Sequence, residues 1–462
     1  MARATRRTSH ANTQFVGVEK MVRWRVRAAI KAATVAGMAV FAAHAVAADF
    51  RMSARGESLV RPAGFQQAVE EILPQEAMRV EGHGPSPWAD PCAGFDAGSC
   101  TCGVGACPAP CPPWRYWGSF EFILWWQKGH DPLPLVTTGP DFDNPGILGV
   151  EGTEILYSRD AQLENARPGG RLSLGAWFDP CCFSGVGARW FSLGENSTRY
   201  EQASDAFPVL ARPFFNEVRE EEDAFRIAFP GITTGAVAIE NWSRVHSGDV
   251  FYRRMLFQSG WRRLDLIGGY QFARIDSKLM IASTQTIEQE GGEDPLGTVI
   301  QISDSFDTRN SYDAGEIGLW GVYDSGPVTW SVLAKVGLGT MRQRIAVAGQ
   351  RITAAPDETP VVTDQGLLAV STNSGVLDRD VFTVSPEVAL NGAYHVNEWI
   401  DITFGYTFVL WNHVALSSEQ LDRHLNPTQL TGQLQGPARP AVLAPDTSYF
   451  VHGLNFGVQC AW

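Results

Sequence analysis

The chain predicts an all-β fold: a closed antiparallel transmembrane β-barrel of about twelve strands behind a Cys/Pro/Gly-rich N-terminal tether. Three observations carry this. From Tyr116 onward, apolar residues recur at every second position, the period of a strand rather than of a helix. Many of these segments reach about ten residues, as a tilted membrane strand requires (~9–11), whereas globular strands, β-sandwich strands included, usually run ~5–6. The second face carries Gly, Thr, Asn and charged side chains at close intervals, as a wet lumen would.

The N-terminus reads as a secretory signal. In RWRVRAAIKAATVAGMAVFAAHAVAADF, Arg23, Arg25, Arg27 and Lys31 precede an apolar run near Ala32–Ala43, and Ala45–Ala47 supplies small residues for cleavage. Residues 1–47 are assigned to it, with 1–20 as an upstream extension. Residues 48–115 follow as a periplasmic linker rich in Cys, Pro and Gly. Five of the 8 cysteines lie there, at Cys92, Cys100, Cys102, Cys107 and Cys111. Export favours disulfides among them, with pairing left open. Their spacing lacks paired C-x-x-C arms and no His lies among them, so a zinc site is not expected.

The barrel is assigned to 116–462. It opens on YWGSFEFILWWQ, where Phe120, Phe122, Leu124 and Trp126 share one face and Glu121 lies on the other. The greasy face is expected to touch lipid, and Tyr116, Trp117, Trp125 and Trp126 to join aromatic girdles at the interfaces. Further strands are expected at 169–179, 184–194, 234–245, 249–258, 261–275, 277–288, 310–323, 327–341, 379–395, 398–412 and 447–462. Of these, 249–258 alternates worst, because Arg253 and Arg254 are adjacent. Short turns are expected at DPCCF, VHSG, RIDS, YDSG and HVNE, and QSG is a further tight turn that breaks the alternation of short and long connections. Long loops fall at 128–168, 195–233, 289–309, 342–378 and 413–446. Loop 195–233, with PVLARPFF, is a candidate plug. Only a closed sheet leaves no unpaired edge in hydrocarbon.

FEFILWWQKGHDPLPLVTTGP, GILGVEGTEILY, GGRLSLGAWFD, FPVLARPFFN, DLIGGYQF and DITFGYTFVLWNHV resemble, in the same order, the bacterial family named putative β-barrel porin seven. The resemblance runs from about Trp114 to Trp462 and implies a bacterial outer-membrane barrel; the termini are expected to be periplasmic, with short turns on that side and long loops outside, and outer-membrane lipid is expected around the greasy face. The terminal Trp462 resembles the C-terminal signal read by the barrel-assembly machinery.

Twelve strands imply a narrow bore. Its candidate lining charges are Glu121, Arg171, Arg263, Asp265, Glu316, Lys335, Glu387 and Asp401, of both signs. The expected function is a porin-like passive channel for ions or small polar solutes; the alternative is a plugged structural or surface-interaction barrel without transport. No enzyme is expected. G-x-S-x-G, P-loop and H-E-x-x-H motifs are missing, as is the His-x-Ser of outer-membrane phospholipases. No cofactor or metal is expected either: the DFDNPG loop echoes a calcium loop but has Gly152 where its last acidic ligand belongs. The formal net charge of −13 gives no reason to bind nucleic acid.

Overall fold

A computed structural model describes residues 116–127, 133–140, 145–158, 166–179, 182–290 and 294–461. The expected signal, the expected linker with its five cysteines, Cys181, the acidic stretch 141–144 and Trp462 lie outside the described residues. In chain order the strands are β1 (Tyr116–Gln127), β2 (Pro134–Thr138), β3 (Glu154–Ser158), β4 (Arg167–Trp177), β5 (Ser184–Ala203), β6 (Leu210–Asn216), β7 (Glu221–Ala228) and β8 (Thr233–Ser259). They continue with β9 (Arg262–Ile287), β10 (Val299–Asp324), β11 (Val328–Ala354), β12 (Val361–Thr363), β13 (Gly375–His395), β14 (Ile400–Val414), β15 (His424–Leu425) and β16 (Thr447–Ala461).

The large sheet runs β10-β9-β8-β5-β4-β1-β16-β14-β13-β11, and β10 also pairs with β11, so the pairings return to their start. Every pairing along the ring is antiparallel. The ring has ten strands, not the expected twelve. The difference lies at VHSG and RIDS, where β8 and β9 pass straight through without turning. The turn at QSG is real, and short and long connections therefore alternate without exception. The poor alternation near Arg253 also has a cause: a β-bulge between Met255 and Phe257 shifts the register, with Arg253 buried and Arg254 exposed.

VHSG and RIDS resemble turns because the two faces exchange character there. In the half of the ring holding Tyr116 and Ala461, the near half, the outer face is apolar. Phe120 is 63% exposed, Phe122 48%, Phe404 41% and Phe456 43%. Past Phe272 on β9 the outward positions become Arg274, Asp276 and Lys278, while Ile275, Leu279 and Ile281 turn inward. The same exchange occurs on β8, where Val250 and Tyr252 are exposed but Arg244 and Glu240 occupy the outer face further on, above buried Val245 and Ile239. An apolar exterior suits lipid; a charged exterior over an apolar interior suits water.

The far half is thus a two-layer body. β8, β9, β10 and β11 run 26 or 27 residues, far more than the ~9–11 a bilayer needs. Their inner faces pack against a smaller sheet of order β15-β6-β2-β3, with β7 on β6. Val237, Ile239, Leu279, Ile281, Ile300, Phe306 and Ile345 meet Leu135, Val136, Leu210, Phe214 and Ile227 in one core. β6 lies within the loop expected as a plug, and its LARPF is buried throughout.

This division predicts unequal responses to one substitution. Val332→Arg, near the middle of the apolar band of β11 and exposed on its outer face, should destabilise the folded barrel by about 2–4 kcal/mol. Thr284→Arg, exposed on the far half of β9, should cost less than about 0.5 kcal/mol. Urea unfolding of the purified protein in lipid vesicles checks both. Equal losses would show that the exchange of faces does not mark a lipid boundary.

Candidate functional site

All eight predicted lining charges stand on the inner face of the near half, and neighbouring strands bring them into ion pairs. Glu121 on β1 lies directly opposite Arg171 on β4. Arg171 donates to it twice, at 2.6 and 3.0 Å, and to Thr407 Oγ1 at 3.0 Å. Lys335 on β11 faces Glu387 on β13. Its ammonium meets Glu316 at 2.7 Å, Glu387 at 3.1 Å and Asp249 more closely still. Arg189 joins Asp249 at 2.5 Å to Glu387 at 3.2 Å. Such two-point guanidinium contacts are the strong form of ion pair.

At the rim of the near half, Asp265 holds two guanidiniums, Arg263 at 2.8 Å and Arg253. Arg253 sits over the rings of Trp177 at 5.0 Å and Trp320 at 4.3 Å, and Arg263 lies 4.8 Å from Trp177. Cation–π contact supplements the carboxylate there. Asp401 meets His395 Nδ1 at 2.7 Å, and His395 Nε2 meets Thr329 Oγ1 at 2.9 Å. Arg189, Asp249, Arg253, His395 and the two tryptophans escaped the sequence reading. Parity along β5, β8 and β13 identifies Arg189, Asp249, Arg253 and His395; the bulge in β8 lies beyond Arg253, between Met255 and Phe257.

A cavity of about 70 Å³ lies among these groups, walled by Trp117, Glu121, Arg171, Thr329, Thr403 and Gln459. It has room for a few waters. Trp117 and Trp125 correct the girdle expectation: both rings are buried inside the lumen, while Tyr116 alone of the first two aromatic residues is exposed. Gly175 lies opposite Trp117, and a Cβ there would collide with the indole. Trp125 donates its indole N–H to Asn455 Oδ1 at 2.8 Å. His452 faces outward, where Tyr406 bonds it at 2.7 Å and Trp126 stacks on it at 6.2 Å.

Beyond the ionic layer the lumen turns apolar. Ile123, Trp125, Phe191, Leu193, Val245, Ile275, Tyr312, Met341, Val409, Trp411, Tyr449 and Val451 form one contiguous buried cluster. They come from eight of the ten ring strands, all but β4 and β13. Above them the connection between β12 and β13 dips into the core, with Leu367, Leu368, Ala369 and Val370 buried. Asp304 on β10 secures it: one carboxylate oxygen accepts the amides of Leu367, Leu368 and Ala369 at 2.9, 2.9 and 2.8 Å. The other pairs with Arg212 of β6 at 2.5 Å. Tyr157 packs in the same core, 4.7 Å from Tyr200 between ring centroids, and burial pushes its phenol above the ordinary range.

Cys182, in the turn between β4 and β5, is a buried free thiol. Burial pushes it up to about 11. Below that value the thiol stays protonated, so alkylation of Cys182 in the folded protein at pH 8 should be slow and should become rapid on unfolding. Mass spectrometry of iodoacetamide-treated protein checks this; fast labelling in the folded state would mean the turn is open.

No curated protein matches the chain. Among solved structures, the outer membrane protease OmpT from Escherichia coli is similar at 10% identity and a TM-score of 0.36, covering 76% of this chain and 98% of its own. A FadL homologue of Pseudomonas aeruginosa is similar at 8% identity and TM-score 0.19, over 76% of this chain and 90% of its own. The P. putida toluene transporter TodX is similar at 8% identity and TM-score 0.16, over 75% and 89%. The family described as "Putative beta barrel porin-7" matches residues 117–462. That range begins one residue into β1 and takes in every ring strand, and the chain belongs to this family of outer-membrane β-barrel proteins.

Proposed function

We propose that the protein is an outer-membrane barrel whose lumen is sealed, acting as a structural or surface-interaction barrel through its far half. The single observation that carries this reading is the apolar cluster contributed by eight strands across the lumen. An ion entering such a layer would lose its hydration with nothing to replace it. The ion pairs of the near half support the same reading. Each predicted lining charge has an opposite partner within contact distance, or the imidazole of His395 in the case of Asp401, which suits packing better than passage. With Tyr116 and Ala461 both at the near half, we take that half to face the periplasm and the far half to project outward. Outer-membrane lipid surrounds the apolar band, and the assembly machinery reads Trp462.

A second reading, the passive channel for ions or small polar solutes, is favoured by the cavity of about 70 Å³ beside Glu121 and Arg171 and by the family's description as a porin. It requires the cap and the apolar layer to move. The Thr329–His395–Asp401 chain has the order of a hydroxyl, a base and an orienting acid, but the neighbouring main chain is engaged in the β11–β13–β14 ladders, and no catalytic role is assigned to it.

Planar bilayers test the proposal. Purified, folded protein should give no discrete conductance steps. Regular steps from unmodified protein would overturn the sealed reading in favour of the channel.

A further inference from the structure

The outer face of β10 and β11 holds an arrangement that the packing of the barrel does not require. Arg309 and Arg344 are directly opposite each other across the two strands, and both point outward with Arg342 beside them. Like charges in that position repel. Their side chains are 56%, 55% and 66% exposed for Arg309, Arg344 and Arg342. Carboxylates compensate them unevenly. Arg342 has Asp313 at 2.7 Å, but Arg344 reaches Asp378 only at 3.5 Å. Arg309 stands 3.7 Å from Asp276, which already pairs with Arg274 at 3.1 Å. The three arginines line one open groove of about 370 Å³ together with Ser311, Asp378 and Asp380.

The depth of this groove matters. On β11 the outward residues from Val328 to Leu338 are mostly apolar and have the length of one bilayer crossing, ~9–11 residues. Thr340, Arg342 and Arg344 come next, on the order of 10 Å further along the membrane normal for a tilted strand, where lipid headgroups lie. Phe382, 64% exposed, pairs with Thr340 just below the arginines. Leu338 and Ile317 continue the apolar surface beneath. A guanidinium cluster above an exposed aromatic ring matches an amphiphile with an anionic head and acyl chains. Arginine forks fit phosphate oxygens in two-point contacts.

We propose that Arg309, Arg342 and Arg344 bind the phosphorylated headgroup of a membrane lipid, with its acyl chains along Phe382, Leu338 and Ile317. The bound phosphate relieves the Arg309–Arg344 repulsion and fixes the height of the barrel in the bilayer. Asp313 and Asp378 hold the guanidiniums of Arg342 and Arg344.

The test uses the full chain in nanodiscs of zwitterionic lipid containing a small fraction of lipid A, with binding followed by native mass spectrometry. Wild type should retain lipid A. The double variant R309Q/R344Q should bind it about tenfold or more weakly, while R309K/R344K keeps part of the affinity and shows that the fold is intact. R199Q, changing an exposed arginine that pairs with Glu201 and Glu240, should bind as wild type does. Equal retention by wild type and R309Q/R344Q would overturn the proposal. So would displacement of lipid A by an equal concentration of inorganic phosphate, which would mark a site for free anions instead.

Discussion

Lys335→Met should cost the folded barrel about 3–5 kcal/mol, because it leaves carboxylates buried without their cation. Lys335 is the hub of the lumen: its ammonium contacts Asp249, Glu316 and Glu387, and its side chain is fully buried. Arg189 would remain in contact with Asp249 and Glu387, but it makes no ion pair with Glu316. Asp249, Glu316 and Glu387 would then have to take up protons or draw in water, and either costs stability at neutral pH. Urea titration in vesicles, read by tryptophan fluorescence, gives the difference. Adding Glu316→Gln to Lys335→Met should recover part of it, since one uncompensated charge is removed with the cation. A loss below about 1 kcal/mol would be the value for screened, solvated pairs. It would mean that water fills the near half, and the apolar layer alone would be left to seal the lumen.

Asp304→Ala should have an effect of similar size, about 3–5 kcal/mol, but confined to the far half. The substitution strands Arg212 in an apolar core and frees the three amides that the carboxylate had accepted. The connection 364–374 should then leave the core and become open to protease. Limited proteolysis followed by mass spectrometry should find new cleavage there, with the near-half strands intact. Hydrogen exchange should rise at Leu367, Leu368 and Ala369 and stay unchanged at Ile123 and Phe122. Unaltered protection of these three amides would show that apolar packing alone holds the segment. Asp304→Asn, which preserves an oxygen acceptor but not the charge, should fall between wild type and the alanine variant.

The strands of the lipid-facing band were plain in the sequence. β1 was placed at its observed bounds, and β4, β14 and β16 within a few residues. In these strands apolar and polar positions keep one phase from end to end, so a period-two reading loses nothing. β8 and β9 were each cut in two, at His246–Gly248 and at Ile275–Ser277, because the polarity of the two faces exchanges at those points. A run such as Arg274–Asp276–Lys278 looks like a solvated turn when lipid is assumed outside; it is a strand that has left the membrane. The lining charges were legible one at a time, from parity. Their pairing was not, since Lys335 and Asp249 come from strands that are not neighbours in the ring.

By itself, the sequence determined the all-β class, the bounds of β1, the lipid-facing side of each near-half strand and the inward direction of the eight charges. These follow from local alternation, because a strand's side chains point to opposite faces whatever lies beyond them. Only the tertiary structure decided that the ring has ten strands, that the charges neutralise one another, and that an apolar layer and a cap fill the interior. Those outcomes depend on which side chains meet across the lumen. The distances across it are set by how many strands form the ring and by where loops far apart in sequence fold back, and neither is written in any single stretch of the chain.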